Sequence, residues 1–182
     1  MMRIAFATLT AAALLAAMPA AAETGYLKIT AQKQGQIKGE VTSKGGMADS
    51  LAVLDMDWSM SVPTVNGVAT GRRVQQPISF TVRWSKATPL LLQAATDNET
   101  LSKVDYSGWL PNIDGVGAGA GTESMRHTIS LTNAHIVSLK ITDRKTDSDL
   151  LDPVVVVTMS YQSLAITETN GGITAMDDWT NK

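Results

Sequence analysis

The chain has 182 residues, 15 basic and 17 acidic side chains, a formal net charge of −2 and no cysteine. A charge this close to zero gives no bulk attraction for nucleic acid or for an anionic membrane, and the lack of thiols excludes disulfides, thiol catalysis and thiolate-bound metals. The length allows one ordinary domain with a sizeable hydrophobic core.

The N-terminal residues have the three parts of a secretory signal peptide. Arg3 supplies a positive charge, residues 4–18 are an apolar run, and Ala20–Ala22 form a small-residue cleavage motif. The run is too short for a stable membrane span, and an N-terminal core helix fits the three parts less well. We therefore predict a signal peptide over residues 1–22 and a single domain over residues 23–182, periplasmic or secreted, with no membrane insertion after the signal is removed.

The next segments alternate apolar and polar residues, which is typical of β-strands. We predict strands over Tyr26–Thr30, Ile37–Val41 and Leu51–Met60. In the third strand, the apolar residues that should face the core are Leu54, Met56, Trp58 and Met60. Asp55 and Asp57 share the opposite face, where they form either a general acid/base pair or, as is more common, the polar side of a half-buried strand.

The segment Ser61–Arg73 has no periodicity, and it contains a proline and two glycines. We predict a long loop. Loops of this length in compact domains are often functional or docked on a partner.

The clearest pattern lies in the stretch Gln76–Ala95. Its first part is a strand whose core-facing residues should be Ile78, Phe80, Val82 and Trp84. A helix should start after it, because Ser85 or Thr88 can cap a helix and Pro89 fits the first turn. The face that this helix should bury carries Leu90, Leu91, Ala94 and Ala95.

The C-terminal half is again rich in strand patterns. Thr100–Tyr106 fits either a strand or a coil. Further strands are predicted at His127–Leu131, Ile136–Thr142, Val154–Tyr161 and around Leu164 and Ile166. A charged turn over Asp143–Pro153 and a turn at Asn170–Gly172 interrupt them. With about seven to nine strands and one substantial helix, the fold class is mainly β, a sandwich or a barrel.

A glycine-alternating loop, Trp109–Thr122, resembles a phosphate-binding loop in composition. Its glycines are Gly115, Gly117, Gly119 and Gly121. A phosphate loop needs a helix N-terminus directly after it, whereas this loop leads to a predicted strand. We interpret it as a mobile loop.

Acidic and histidine residues also lack the spacing of a metal site. Four acidic residues cluster in one segment, namely Asp143, Asp147, Asp149 and Asp152. The segment lacks the glycine-containing turn with which a short loop surrounds a calcium ion, so we interpret it as a solvated turn. His127 and His135 are better explained as structural or surface residues. No metal is therefore predicted.

No serine lies in the Gly-x-Ser-x-Gly pattern of hydrolase nucleophiles. Residue by residue, no catalytic or cofactor-binding set is predicted, and hydrolysis is left without a nucleophile and base. We interpret the chain as a protein that binds and assembles, and not as an enzyme.

The stretch Phe80–Ala94 resembles the strand-to-helix core of the haemolysin-coregulated protein (Hcp) family, the tube protein of bacterial type VI secretion. Both have an aromatic-led strand, a turn containing Lys-Ala-Ser/Thr-Pro, and then Leu-Leu-x-Ala. Other segments resemble the family in the same order: Tyr26–Ile29 its opening strand, Ile37–Glu40 its Ile-x-Gly-Glu motif, Asp49–Met60 its next strand, Leu139–Thr142 with Val155–Tyr161 its late strand pair, and Gly171–Lys182 its closing turn and tail.

The resemblance implies a compact two-sheet β-barrel with one flanking α-helix and no enzymatic activity or cofactor. It also implies homohexameric rings that stack into a tube, with a spike protein at the tip and small effector cargo in the lumen. Ser61–Arg73 would correspond to the family's extended loop, which bridges to neighbouring subunits or rings. The candidate assembly residues are Ser61, Val62, Pro63, Thr64, Val65, Asn66, Gly67, Arg72 and Arg73.

Two features depart from the family pattern. Typical members have no signal peptide, because they are loaded into the secretion machine in the cytoplasm, and Pro111–Thr122 has no counterpart.

The leading hypothesis is therefore an exported homologue of the tube protein. The alternative is a monomeric periplasmic β-sandwich module that binds a glycan, peptide or protein partner, with Trp109 and the loop after it as the contact patch.

Overall fold

The computed structural model describes residues 24–42, 46–111, 123–145 and 150–180. The predicted signal peptide, the glycine loop from residue 112 to 122, Asp147 and Asp149 lie outside these ranges. The elements in chain order are β1 (Thr24–Ala31), β2 (Gly35–Ile37), β3 (Leu51–Asp57), β4 (Met60–Ser61), β5 (Thr64–Val65), β6 (Val68–Ala69), β7 (Val74–Gln75), β8 (Ile78–Arg83), α1 (Ala87–Thr96), β9 (Leu101–Pro111), β10 (Glu123–Lys145), β11 (Leu151–Ser160), β12 (Ser163–Glu168) and β13 (Ile173–Asp178).

Six of these strands close into a barrel. Neighbouring strands are antiparallel in the order β11-β8-β3-β1-β9-β10, and β10 pairs with β11 to complete the ring of hydrogen bonds. Closure leaves the barrel itself without exposed strand edges. β12 and β13 extend the sheet sideways from β10, and β2 forms a hairpin with β1. The predicted compact β-barrel with one flanking helix is confirmed.

Closure depends on β10, which is 23 residues long and takes part in two sides of the barrel. Its first half pairs with β9 and β12, whereas His135–Lys145 pairs with β11. Asn133 has a left-handed backbone, with φ of 49°, and the register with β11 shifts shortly afterwards. These irregularities bend the strand and break its alternation. The two predicted strand pieces, at His127–Leu131 and Ile136–Thr142, are both strand, but they are parts of one bent strand.

The core fills the barrel with side chains from the inward positions of the strands and from α1. Phe80 is fully buried and stacks against Tyr106, with ring centroids 5.8 Å apart. Fully burying one apolar side chain of this size contributes about 1.5–3 kcal/mol. The largest such side chains are Phe80, Leu27, Ile29, Ile37, Leu51, Ile78, Leu91, Leu101, Leu131, Met159, Val82 and Val104.

The N-cap of α1 is Lys86 and no side chain caps the helix, so the prediction that Ser85 or Thr88 caps it is wrong. The Ser85 hydroxyl accepts a hydrogen bond from the Ala87 amide at 3.3 Å, and the Ser85 amide donates to the Thr88 hydroxyl at 3.2 Å. These two bonds instead tie the residue before the N-cap to the first turn of the helix. Pro89 lies in the first turn, as predicted.

The buried face of α1 differs from the prediction. It carries Ala87, Thr88, Leu91 and Ala94, and Ala95 packs partly against the core. Leu90 is exposed, because the contact stripe follows the spacing i, i+4, i+7 from Ala87 and leaves Leu90 outside it.

A bulge changes the inward face of β3. Its register with β8 shifts between Val53 and Asp55. Val53 and Met56 therefore pack against the core, whereas Leu54, predicted to face inward, does not belong to it. Asp55 and Asp57 are exposed, as the polar side of the strand.

The remaining boundaries also depend on tertiary pairing. β9 includes all but the first residue of the ambiguous segment Thr100–Tyr106 and continues through Trp109, so Trp109 lies on a strand and not on a loop. Asp143–Lys145 and Leu151–Pro153, predicted as parts of a charged turn, are instead paired strand residues of β10 and β11. The turn at Asn170–Gly172 is confirmed.

A buried carboxylate holds the turn after β1. Glu99 is 2% exposed, and its carboxylate accepts hydrogen bonds from the Lys33 amide, from the Gln34 amide at 3.0 Å and from Gln34 Nε2 at 2.9 Å. The bond from the Gln34 side chain, helped by the two amides, lowers the pKa of Glu99. A lowered pKa means that the folded state favours the carboxylate.

We expect Glu99 to make the fold acid-sensitive. Its contribution is fully present above the ordinary glutamate pKa and is lost as the pH falls through the lowered folded value. In urea unfolding between about pH 7 and about pH 3, the wild type should lose more unfolding free energy than Glu99→Gln, which cannot ionise. Equal slopes for the two proteins would contradict this role.

Candidate assembly surfaces

The segment predicted as a loop at Ser61–Arg73 belongs to a folded hairpin, which we call the arm (Met60–Gln75). β4 pairs with β7 at its base, and β5 pairs with β6 at its tip. Asn66 and Gly67 connect β5 and β6 with φ values of 52° and 78°. Two successive positive φ values are those of a type I′ turn, for which Asn-Gly is the preferred sequence. The segment predicted as a long loop therefore contains short paired strands.

The arm carries apolar side chains that the described part of the chain leaves exposed. Val65 and Val68, at the tip, are 60% and 64% exposed. No charged residue occurs from Ser61 to Gly71. A two-stranded hairpin on its own is at best marginally stable in water, so an uncharged valine-bearing tip is suited to a partner surface.

The base of the arm is tied to β13. Arg73 makes two parallel hydrogen bonds to the Asp177 carboxylate, one of them from Nε at 2.5 Å, and Gln75 Nε2 donates to the same carboxylate. The bond to Asp177 raises the pKa of Arg73. A bidentate pair fixes direction as well as distance, so it sets the angle at which the arm leaves the barrel.

A second tie involves two aromatic side chains. Trp58 Nε1 donates to the Tyr161 hydroxyl at 2.6 Å, and that hydroxyl donates to the Gln76 carbonyl at 3.4 Å. Burial raises the pKa of Tyr161, which keeps it protonated and able to donate. The arm is therefore attached on both sides of its base.

An apolar groove of about 160 Å³ lies beside this base, between the arm and the β12–β13 hairpin. Its apolar lining is Trp58, Met60, Leu164, Ile166, Ala175 and Met176. Met60 and Met176 are exposed large apolar side chains, and methionine adapts readily to irregular partners.

A second projecting surface, which we call the ribbon, consists of Ile141–Lys145 and Leu151–Val155. Ile141 lies opposite Val155, and Val155 is fully buried in the barrel, yet Ile141 is 50% exposed. By the same alternation Leu151 and Trp84 lie on this inward face, and they are 64% and 49% exposed. The core-facing side of the sheet thus continues beyond the end of the core. This explains why Trp84, predicted to be buried, is exposed.

Of the candidate assembly residues, the structure places Ser61 in β4, Thr64 and Val65 in β5, and Asn66 and Gly67 in the turn between β5 and β6. Val62 and Pro63 connect β4 to β5, and Arg72 and Arg73 precede β7. Sequence reasoning missed Asp177, which is 104 residues from Arg73 and has no local signal. It also missed the ribbon, because its residues resemble a turn.

The other residues considered for sites are not brought together. His135 Nε2 lies 3.1 Å from the Thr100 hydroxyl, and His127 packs 5.8 Å from the Tyr106 ring. Asp152 pairs with Arg83 at 3.3 Å. Over the described ranges, no three His, Asp or Glu side chains are grouped as metal ligands would be. Nor does any helix there have the length and apolar character needed to cross a membrane.

Comparisons with known proteins agree with this architecture. Residues 26–167 match the sequence profile of the family described as type VI secretion system effector, Hcp. The chain is 29% identical over 175 residues to the major exported protein of Pseudomonas aeruginosa PAO1, covering 87% of this chain and 96% of that one.

Solved structures give the same result. A crystal structure of an Hcp protein superimposes with a TM-score of 0.75 at 26% identity, over 87% of this chain and all of the other. The secreted protein Hcp3 from Pseudomonas aeruginosa has a TM-score of 0.66, also at 26% identity, over 87% of this chain and 99% of its own. The profile match spans most of the chain, and the closed barrel with one helix has the fold of these solved structures. The chain therefore belongs to the Hcp family of tube-like structural proteins of type VI secretion.

Proposed function

We propose that the protein is a non-enzymatic subunit that assembles into hexameric rings, that these rings stack into tubes, and that it acts outside the cytoplasm. The observation that carries the proposal is the arm, a folded hairpin with an uncharged tip and exposed valines. Family membership supports self-association, because Hcp proteins form rings.

The distribution of apolar surfaces supports a head-to-tail contact. The arm tip, the groove beside its base and the ribbon are different surfaces of one subunit. A contact between unlike surfaces repeats around an axis and closes into a ring when the rotation is suitable. The candidate residues Ser61–Gly67, Arg72 and Arg73 would then lie at or near the contacts between subunits or between rings.

The proposed export rests on residues 1–22, whose composition is that of a signal peptide, with residues 23–182 as the single mature domain. The relative called the major exported protein supports a location outside the cytoplasm. By extension from the family, a spike protein and small effector cargo are the proposed partners of the tube.

Negative-stain electron microscopy of the protein starting at Glu23, together with light scattering after size exclusion, tests the assembly. We expect six-fold rings, with stacks at high concentration. A protein that stays monomeric at the highest soluble concentration would overturn the proposal and favour the monomeric binding module.

A further inference from the structure

A cleft of about 400 Å³, whose lining is more apolar than polar, lies on the outer face of β1, β9 and β10, away from the arm and the ribbon. In the sheet register, Tyr26 lies opposite Ser107, which lies opposite Thr128. The next row on the same face joins Lys28, Asp105 and Ser130. The volume falls within the range of about 300–1,000 Å³ that is usual for ligand sites.

Two aromatic side chains form one wall of this cleft. Trp109 is two residues beyond Ser107 on the same face of β9, so it is a diagonal neighbour of Tyr26. The Trp109 indole is held by a hydrogen bond from Nε1 to the Ser107 hydroxyl at 3.0 Å. Both rings are half-buried. They therefore present fixed apolar surface on a rigid sheet, and a ligand would lose little side-chain entropy by ordering them.

The polar side of the cleft is already arranged. The Asp105 carboxylate accepts a hydrogen bond from the Ser130 hydroxyl at 2.7 Å, and its other oxygen lies 2.9 Å from the Lys103 ammonium. Burial, with a smaller effect of Glu123, raises the pKa of Tyr26, so its hydroxyl stays protonated and can donate. The cleft therefore offers both hydrogen-bond donors and acceptors beside the two aromatic rings.

The charges of the cleft favour a neutral ligand. Lys28 and Lys103 are balanced by Asp105 and the neighbouring Glu123. A polyanion would meet the two carboxylates and a polycation would meet the two lysines, so neither is attracted overall.

The backbone of the cleft argues against an extended peptide. β1, β9 and β10 are each paired on both sides with other strands. Strand addition needs a free sheet edge, which these strands do not offer. A ligand must therefore be recognised by side chains alone, through an apolar face and several polar groups.

We propose that this cleft binds a neutral oligosaccharide. A pyranose ring has an apolar C–H face that can lie on Tyr26 and Trp109, and peripheral hydroxyls that can exchange hydrogen bonds with Asp105, Lys103 and Ser130. None of the residues that line the cleft belongs to the arm, to the groove beside its base or to the ribbon, and the site would let an exported protein contact glycans outside the cytoplasm.

Isothermal titration and amide NMR with the protein starting at Glu23 test this site. The probes are three soluble neutral oligosaccharides, namely chitohexaose in its N-acetylated form, cellohexaose and maltohexaose. We expect at least one to bind at millimolar concentration or below, with shifted amides confined to β1, β9 and β10. Trp109→Ala should weaken binding by about tenfold or more, because it removes half of the aromatic wall.

Trp84→Ala is the matched control, because Trp84 is a partly exposed tryptophan that lies beside the ribbon and outside the cleft. It should bind as the wild type does. Asp105→Asn keeps the shape of the side chain and should also weaken binding, which guards against misfolding of Trp109→Ala. Trp109→Ala should still form rings. A failure of the sugar-binding proposal is therefore distinguishable from a failure of the assembly proposal.

No binding of any of the three sugars, or equal binding by wild type and Trp109→Ala, would overturn the proposal. A pool of unstructured peptides that binds in a Trp109-dependent way, without any sugar binding, would overturn it in favour of peptide recognition.

Discussion

Val65→Asp combined with Val68→Asp should abolish ring assembly while leaving the barrel folded. Both side chains are at the tip of the arm and more than half exposed, so the isolated subunit loses almost no packing. In an assembly that buries the tip, two carboxylates would have to be desolvated without a partner, which costs several kcal/mol. We expect the association constant for each contact to fall by at least about a hundredfold, which corresponds to about 2.7 kcal/mol.

Light scattering after size exclusion measures this change, and circular dichroism with thermal unfolding checks that the barrel is intact. Gln36→Glu with Gln93→Glu is the matched control, because it adds the same charge at exposed positions on β2 and α1. The control should assemble as the wild type does. Rings of normal stability in the aspartate variant would exclude the arm tip from the assembly contacts.

Gly39→Ala should destabilise the barrel strongly. A Cβ atom at Gly39 would lie 2.1 Å from the Ser50 carbonyl oxygen and 2.3 Å from its carbonyl carbon. These are backbone atoms, and Ser50 is fully buried, so they cannot move aside as a flexible side chain would. The Gly39 amide also donates to the Asp49 carbonyl at 2.9 Å, a bond that separation of the two segments would break.

We expect a loss of about 3 kcal/mol or more, above the usual range for overpacking, and a fall in melting temperature of about 10 °C. Differential scanning calorimetry at equal protein concentration measures it, since assembly shifts the apparent melting temperature. Gly46→Ala is the control, because the nearest atom to a Cβ there is 3.9 Å away. A Gly39→Ala protein as stable as that control would contradict the close approach.

The same contacts explain why an Ile-x-Gly-Glu motif at Ile37–Glu40 is useful to the fold. Ile37 is buried in the core, and Gly39 lets two backbone segments touch. The Glu40 carboxylate accepts a hydrogen bond from the Ala52 amide at 3.0 Å, near the start of β3. The strand predicted over Ile37–Val41 is wrong beyond Ile37, because the chain there leaves β1 and bonds to the segment before β3.

Local alternation predicted much of the barrel. Ile78, Phe80 and Val82 face the core as their period of two requires, and so do Leu27 and Ile29. The helix start at Ser85–Pro89 is visible because the alternating pattern ends there and Pro89 fits a first helical turn. Family resemblance, carried by this stretch and its ordered neighbours, then supplied the architecture.

The structure and direction of the arm could not be predicted from local sequence patterns. Its Asn-Gly turn is a hairpin signal within the sequence, but the strands on either side of it are two residues long, too short for periodicity to be visible. Its direction depends on Arg73 and Asp177, which are distant in the sequence, so only the folded chain specifies it.

The sequence by itself determined the fold class, the core-facing residues of the regular strands and the helix start, because each depends on residues within a few positions of one another. Only the tertiary structure decided how β10 bends to close the barrel, where the core ends and leaves Trp84 and Ile141 exposed, and which outward side chains of β1, β9 and β10 meet in the cleft. These features depend on strand register and on bulges, and a shift of one residue would reverse which side chains face the core.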